Sequence, residues 1–469
     1  MCAFIPNLKD MVFPLENHKT AMKRLFITIW HFLSGICSKL KNLITGKKSR
    51  WSHLVDIPDT VRGEIGAYFI YDKRKSVIDA GFVSRLHELG ISVVYLNTNR
   101  KEAPLSYDEW YAIFETFRFT GIRLMLYCYE AVSLSPKWTD EQIKAVNSHP
   151  SFYGWIAEDE VSYSSYEGSW IKRFHAQKFS DGSRKWPKLA ICYFPKISTL
   201  SAKHIGENYE DYLNRWSDAI DIAHADMYPI IASAKDNADT EGDGTPVYPK
   251  ATNPEKWYDY LSHHLSFTKE HPELIHRLYM HACKHVVLDA DKKPYISYPK
   301  PTDKTLSIQA YANLMAGSEG LMLFLGNDLN NGISGFFEAA FKEDFTPNAD
   351  TYDKLKNLFG SRKFQNFRRL IGNSAIWSLT AFPDFYVATL VGGGYVYHAY
   401  LNFSLSETVS RSYTDIDYVA GLQVLDLQNG LVRTVEKGET FTIEAGDIFV
   451  TRIIEVSEDQ IGLKENGKL

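Results

Sequence analysis

The sequence predicts an α/β fold, a (β/α)8 TIM barrel followed by a small antiparallel β-sandwich domain, and three observations carry that prediction. From residue 63 onward, a short β-rich run is followed by a helix-period segment ending in Gly or a polar turn, and the unit recurs eight times. No Gly-rich phosphate turn follows the first run, as a doubly wound sheet would require. Past a helix near 351–370 the pattern changes to short strands separated by turn residues, the pattern of an antiparallel sandwich.

The eight runs are GAYFIY (66–71), ISVVYLN (91–97), RLMLYCY (123–129), FYGWIAE (152–158), KLAICYF (188–194), DIAHADMY (221–228), RLYMHAC (277–283) and GLMLFLG (320–326). Between the second and third, Trp110, Ile113, Phe114 and Phe117 fall at the spacing of one buried helical stripe. Phe82, Leu86 and Leu89 form a second stripe, with Gly90 at the C′ position. Pro254 is a first-turn proline for a helix carrying Trp257, Tyr260 and Leu261. In the C-terminal part, AIWSLT, FYVATLV, GYVYHAYLN, GLQVLDL, TFTIEA and DIFVTRII read as strands. The expected organisation is a signal or anchor region over 1–50, a barrel over 63–370 and a β-sandwich over 371–469 that supports the barrel.

With 469 residues, 45% hydrophobic and 23% charged, the chain is long enough for a barrel plus a smaller domain around a large core. A net charge of −5 argues against nucleic acid, which needs a concentrated basic surface. Aromatics make up 14%, which fits either a large core or a wet cleft with flat faces for sugar rings. Cys2, Cys37, Cys128, Cys192 and Cys283 show neither a CxxC pair nor a zinc spacing, and no metal is expected. Met22, Lys23 and Arg24 precede the apolar stretch LFITIWHFLSGIC, which reads as a secretory signal with translation starting at Met22. Cys37 stands where a bacterial lipoprotein cysteine would, behind the large Ile36. An amphipathic helix or uncleaved anchor is the other reading, so any membrane attachment runs through this segment alone. The expected location is secreted or in the cell envelope.

A barrel places function at the C-terminal ends of its strands. The fourth run ends in Glu158, Asp159 and Glu160; the sixth carries His224, Asp226 and Tyr228. Alternation puts His224, Asp226 and Tyr228 on one side and pairs Glu158 with Glu160. Other strand ends add Tyr68, Asp72, Asn97, Asn99, Tyr129, Glu130, Tyr193, His281, Asn327 and Asp328. Carboxylates and amides for hydroxyls, with aromatics for the CH face of a ring, describe a carbohydrate site.

HPSFYGWIAEDE (149–160), HADMYP (224–229) and YANLMAGSEGLMLF (311–324) resemble clan A glycoside hydrolases and their uncharacterised barrel relatives in polysaccharide-degrading bacteria, where a β-sandwich commonly follows. The resemblance implies an acid/base glutamate at the end of strand four, where Glu160 stands. It also implies a nucleophilic glutamate at the end of strand seven, where this sequence reads RLYMHACKHV and has no carboxylate.

Hydrolysis of a glycosidic bond needs one protonated carboxyl group and a second, ionised one. Crowding and partial burial raise the proton affinity of one member of a cluster. Glu160 is therefore expected as general acid and Asp226 as the second carboxylate. Tyr68, Asn97, Tyr129, Glu158, Asp159, Tyr193, His224, Tyr228, His281 and Asn327 are expected to contact substrate, and no cofactor is called for. Beside these stand plainer roles. Glu158 and Asp159 would pair with basic rim residues, Asp226 would cap the next loop, and His281 would sit satisfied in the core. The acidic loop DNADTEGDG (236–244) fails the EF-hand pattern, because Lys250 falls at the twelfth position, and reads as a flexible loop on the substrate face. Two functions follow: a glycoside hydrolase of poly- or oligosaccharides, or a catalytically silent barrel that binds glycan at the same rim.

Overall fold

The computed structural model describes residues 53–54, 63–98, 103–133, 136–161, 165–193, 208–226, 254–288, 291–292, 294–330, 335–413 and 421–454. The segment 1–50, Asn99, Tyr228 and the acidic loop 236–244 lie outside them. Eight parallel strands form a closed barrel. They are β1 (Ile65–Tyr71), β2 (Ile91–Thr98), β3 (Arg123–Tyr127), β4 (Phe152–Val161), β5 (Leu189–Tyr193), β6 (Ile222–Ala225), β7 (Ile275–His281) and, after two strands of an inserted sheet, β10 (Gly320–Phe324), which closes against β1. Each falls on one of the eight apolar runs.

The helices form for the reasons the sequence supplies. Tyr107–Phe117 starts at a capping box between Ser106 and Glu109 and buries Trp110, Ile113, Phe114 and Phe117. Ala80–Glu88 starts at Asp79, whose side chain accepts from the Phe82 N–H, and buries Phe82 and Leu86. Gly90 follows at φ 66°, a left-handed conformation that closes the helix at least cost with glycine. Pro254–Glu270 begins on its proline and buries Trp257, Tyr260 and Leu261. The helix expected near 351–370 is two, Ala349–Gly360 and Arg362–Gly372, divided at Ser361, which caps the second.

An insertion unforeseen in the sequence sits between β7 and the next barrel helix. β8 (Lys284–Leu288) and β9 (Pro294–Tyr298) form a hairpin, and β11 (Leu329–Asn330) and β12 (Gly335–Glu338) complete a four-stranded antiparallel sheet in the order β9-β8-β12-β11. The C-terminal region is a seven-stranded antiparallel sheet with a two-stranded ribbon, Val409–Ser412 and Thr440–Ile443. Alternation gives this sheet two buried faces: Tyr386, Ala388, Leu390, Ala399 and Val450 belong to the cluster that includes the barrel's helices, while Phe385, Val387 and Tyr400 pack with Val409, Phe441 and Ile443 of the ribbon. Its edge strand is His53–Leu54, from ahead of the barrel, paired with Leu431–Thr434. Among the described residues no helix is long and apolar enough to cross a membrane.

At the N-terminal mouth the barrel is plugged by charge. Glu64 pairs with both Arg123 and Arg277, whose guanidinium groups lie 4.3 and 4.7 Å from the Tyr153 ring centroid. Arg277 is 2% exposed, and its charge is supported by the Glu64 carboxylate, the Tyr153 hydroxyl and the charge of Glu319. Glu64→Gln is expected to destabilise the fold by about 3 kcal/mol, because it removes the carboxylate paired with two guanidinium groups, one of them buried. Urea denaturation would measure it, and Arg277→Met in the same background should recover part of the loss.

Two buried histidines, His276 on β7 and His264 on the Pro254–Glu270 helix, make the fold acid-sensitive. Burial holds the His276 imidazole down at about 4 and pushes His264, which faces it at 5.8 Å, well below the usual range. A histidine depressed in the native state is protonated first in the unfolded chain. Stability is therefore full above about pH 6.5 and falls as the pH drops toward 4. The His276 contribution is at most about 3 kcal/mol, and His276→Gln should lose measurably less stability than wild type between pH 7 and 4.5.

Candidate active site

β4 does not run straight into the rim. Its pairing with β5 shifts register between Ile156 and Glu158 and again between Glu158 and Val161, and Glu160 adopts φ 50°, a left-handed conformation that is costly for a side chain with a Cβ. The consequence is local and decisive: Asp159 and Glu160, consecutive residues, both line one cavity. The pairing of Glu158 with Glu160 expected from alternation is therefore corrected, and Glu158 is not among the lining residues. Strained backbone of this kind concentrates at functional sites.

The cavity, about 320 Å³, lies at the C-terminal end of the barrel and is lined by Tyr68 of β1, Asp159 and Glu160 of β4, Asp226 after β6, Tyr279 of β7 and Phe324 of β10. The inserted sheet adds His285, Tyr298 and Phe337. These last form a stack: His285 lies 3.9 Å from Phe337 at 6°, and Tyr298 lies over His281 at 4.3 Å. Such a volume stands at the lower end of the range for ligand pockets, about 300–1,000 Å³.

Three carboxyl groups meet on one wall. Asp226, 6% exposed, is hydrogen-bonded to Glu160 and accepts from the Cys192 thiol at 3.3 Å. Burial, then the charges of Glu160 and Asp159, push the Asp226 carboxyl well above the usual carboxylate range. Asp159 keeps solvent contact through the cavity but is enclosed on its other sides. Burial and then the Glu160 charge raise it to about 6. It accepts from the Tyr127 hydroxyl at 3.0 Å and bonds Cys192, and it has no basic partner among the described residues. Behind it, the Tyr127 and Tyr68 hydroxyls are 3.3 Å apart, Asn97 Nδ2 donates to Tyr68 at 2.6 Å, and Tyr129 donates to Asn97 Oδ1 at 3.3 Å. Asn97 and Tyr129 thus hold the lining residue Tyr68 in place.

Other expected contacts are elsewhere. Tyr193 faces away from the cavity: Cys192 takes the inward position on β5, and the Tyr193 hydroxyl donates to the Leu213 carbonyl at 2.8 Å among barrel helices. His224 is inside the barrel but outside the cavity, bonded to the Tyr95 hydroxyl and kept neutral by burial. Asn327 clamps β1, accepting from Ile70 N–H and donating to Ile70 C=O, both at 2.9 Å. His281 sits in the core beneath Tyr298, lowered to about 3 by burial, at the strand-seven position where the resemblance implies a nucleophile. Of the other rim residues, Asp72 binds Arg74, Glu130 accepts from Thr98 at 2.7 Å, and Asp328 accepts from Ala339 N–H.

The cavity residues missed in the sequence are Tyr279, Tyr298, His285, Phe324 and Phe337, with Tyr127 and Cys192 just behind. The runs KHVVL and PYISY flanking DADKK carried a hairpin signal. Among the described residues no group of His, Cys, Asp and Glu is arranged to hold a metal ion.

No family model and no curated protein sequence matches the chain. Solved structures do. AmyP in complex with maltose superimposes with a TM-score of 0.50 at 10% identity, over 86% of this chain and 100% of that one. A family 39 glycoside hydrolase from the gut symbiont Bacteroides cellulosilyticus WH2 gives 0.47 at 13% identity, over 87% and 83%. A family 27 β-L-arabinopyranosidase from Geobacillus stearothermophilus gives 0.47 at 10% identity, over 85% and 97%. The likeness is one of fold: an eight-stranded barrel carrying a C-terminal β-sandwich, as the resemblance in the sequence implied.

Proposed function

We propose that the protein hydrolyses a glycosidic bond of a poly- or oligosaccharide, with Glu160 giving the proton to the leaving oxygen. The observation that carries this reading is the contact between Glu160 and Asp226 in the wall of an aromatic-lined cavity. A proton shared by touching carboxyl groups is retained near neutral pH, because its loss would leave two negative charges side by side. Placement at the C-terminal end of a barrel, and a maltose complex in a protein of like fold, support the same reading.

The contact also gives Asp226 a different part from the one expected. Carboxyl groups that straddle a scissile bond stand about 5–5.5 Å apart in retaining and about 6.5–9.5 Å apart in inverting enzymes. A hydrogen-bonded pair has no room for a sugar between its members, so Asp226 holds and returns the proton. The basic and then apolar segment at 22–37 supports a place outside the cytoplasm.

Release of reducing ends from a glycan panel tests the proposal, with Glu160→Gln and Asp226→Asn as controls. A wild-type chain that binds a glycan and never cleaves it would leave the silent glycan-binding barrel as the function.

A further inference from the structure

We infer that the sugar unit cleaved carries a 2-acetamido group, and that this group, in place of a protein carboxylate, attacks its own anomeric carbon. The inference rests on the hydrolase reading above and deepens it.

Three observations lead there. Glu160 and Asp226 touch, and Asp159 joins Asp226 through the Cys192 thiol, so no two of these groups linked by contact stand on opposite sides of a ring. Asp159 and Glu160 issue from one strand end and both line the cavity. The other residues that line the cavity are rings, Tyr68, Tyr279, Tyr298, Phe324, Phe337 and His285, so that Asp159, Glu160 and Asp226 are its carboxylates among the described residues. The end of β7 holds His281, packed away under Tyr298. Finally, Tyr279 is 4% exposed and lines the cavity, yet its hydroxyl has no hydrogen-bond partner among the described residues. It stands close enough to Asp159 and Asp226 to be influenced by their charges. A free phenol donor beside a carboxylate acceptor is the complement of a secondary amide, and neighbouring rings suit its methyl group.

The chemistry balances with these groups. The amide carbonyl oxygen, oriented by the Tyr279 hydroxyl, forms a bond to C1. The C1–O bond to the aglycon breaks, and its electron pair takes the proton from Glu160. The amide N–H is held by the Asp159 carboxylate as positive charge develops on the resulting five-membered ring. Water then adds to C1, gives its proton to Glu160, and the C1–O bond to the amide oxygen breaks, restoring the acetamido group. The sum is glycoside plus water to sugar plus alcohol, with retention at C1, and no oxidant or cofactor enters.

The test uses the full chain and aryl glycosides of both anomers in gluco, galacto and manno configuration, each with a 2-acetamido or a 2-hydroxy substituent. The expected result is cleavage of a 2-acetamido glycoside about 100-fold or more faster than its 2-hydroxy counterpart, since only the former brings its nucleophile with it. The rate should fall stepwise through mono-, di- and trifluoroacetamido analogues, a thiazoline fused at C1–C2 should compete, and Asp159→Asn should weaken thiazoline binding. Equal cleavage of the 2-hydroxy sugar, with a covalent adduct trapped by a 2-deoxy-2-fluoro glycoside, overturns the inference and leaves the hydrolase standing. Cleavage of neither series, nor of the wider glycan panel, overturns both.

Discussion

Glu160→Gln is expected to lower kcat on an unactivated glycan by about 10²–10⁴-fold, the contribution of a positioned general acid, or about 3–5 kcal/mol of barrel-bound transition-state stabilisation. The substitution keeps the shape of the side chain and its contact with Asp226, so glycan affinity should change by no more than a few-fold. The leaving group supplies the decisive comparison. A dinitrophenolate departs without a proton, so Glu160→Gln should be far less impaired on a dinitrophenyl glycoside than on the natural linkage. A residue that merely supports the fold would depress both alike. Equal loss on both substrates, or less than a tenfold loss on the glycan, would show that Glu160 is not the donor. The left-handed backbone at Glu160 gives a second reading of the same site: Glu160→Gly should raise stability relative to Glu160→Ala, because the glycine relieves a conformation that any Cβ makes costly.

The barrel was legible because buried parallel strands are continuous apolar runs, and each of the eight marks its strand without reference to neighbours. Helix stripes such as Trp110, Ile113, Phe114 and Phe117 were legible for the same reason, as one element's periodicity. The site is less so, because it depends on relations between elements. Strict alternation chose Glu158 as the companion of Glu160, whereas the register shifts of β4 turn Asp159 into the cavity. No period within β4 records an irregularity set by its pairing with β5. Tyr193 fails by one position: its neighbour Cys192 faces inward, and an end-of-strand aromatic reads alike on either face. The inserted sheet breaks the pattern of one strand and one helix per unit, and it carries the ring stack of His285, Tyr298 and Phe337, three of the nine residues that line the cavity. What survived is Asp226, whose parity with His224 holds: both lie on the inner side of their strand.

Asp226→Asn should move the alkaline limb of the pH–rate profile to lower pH by about one to three units, the size of a contact between like charges. In the wild-type chain, losing the shared proton creates two adjacent carboxylates, which burial and the Glu160 charge resist by holding Asp226 well above its usual range. Asparagine carries no charge, so losing the proton no longer creates two adjacent carboxylates and the alkaline limb descends. At a pH above both limbs, each unit is a tenfold loss of the acid form, and the rate there should fall by about 10–10³-fold. The acid limb behaves differently. It belongs to Asp159, raised to about 6 by burial and the charges of Glu160 and Glu158, and activity should decline below that pH as its carboxylate is protonated. Since burial and Glu160 dominate that shift, the acid limb should stay near pH 6 in Asp226→Asn while the alkaline limb descends toward it. The bell therefore narrows from one side. A profile that shrinks in height with both limbs unmoved would mean that Asp226 supports the cavity without sharing the proton.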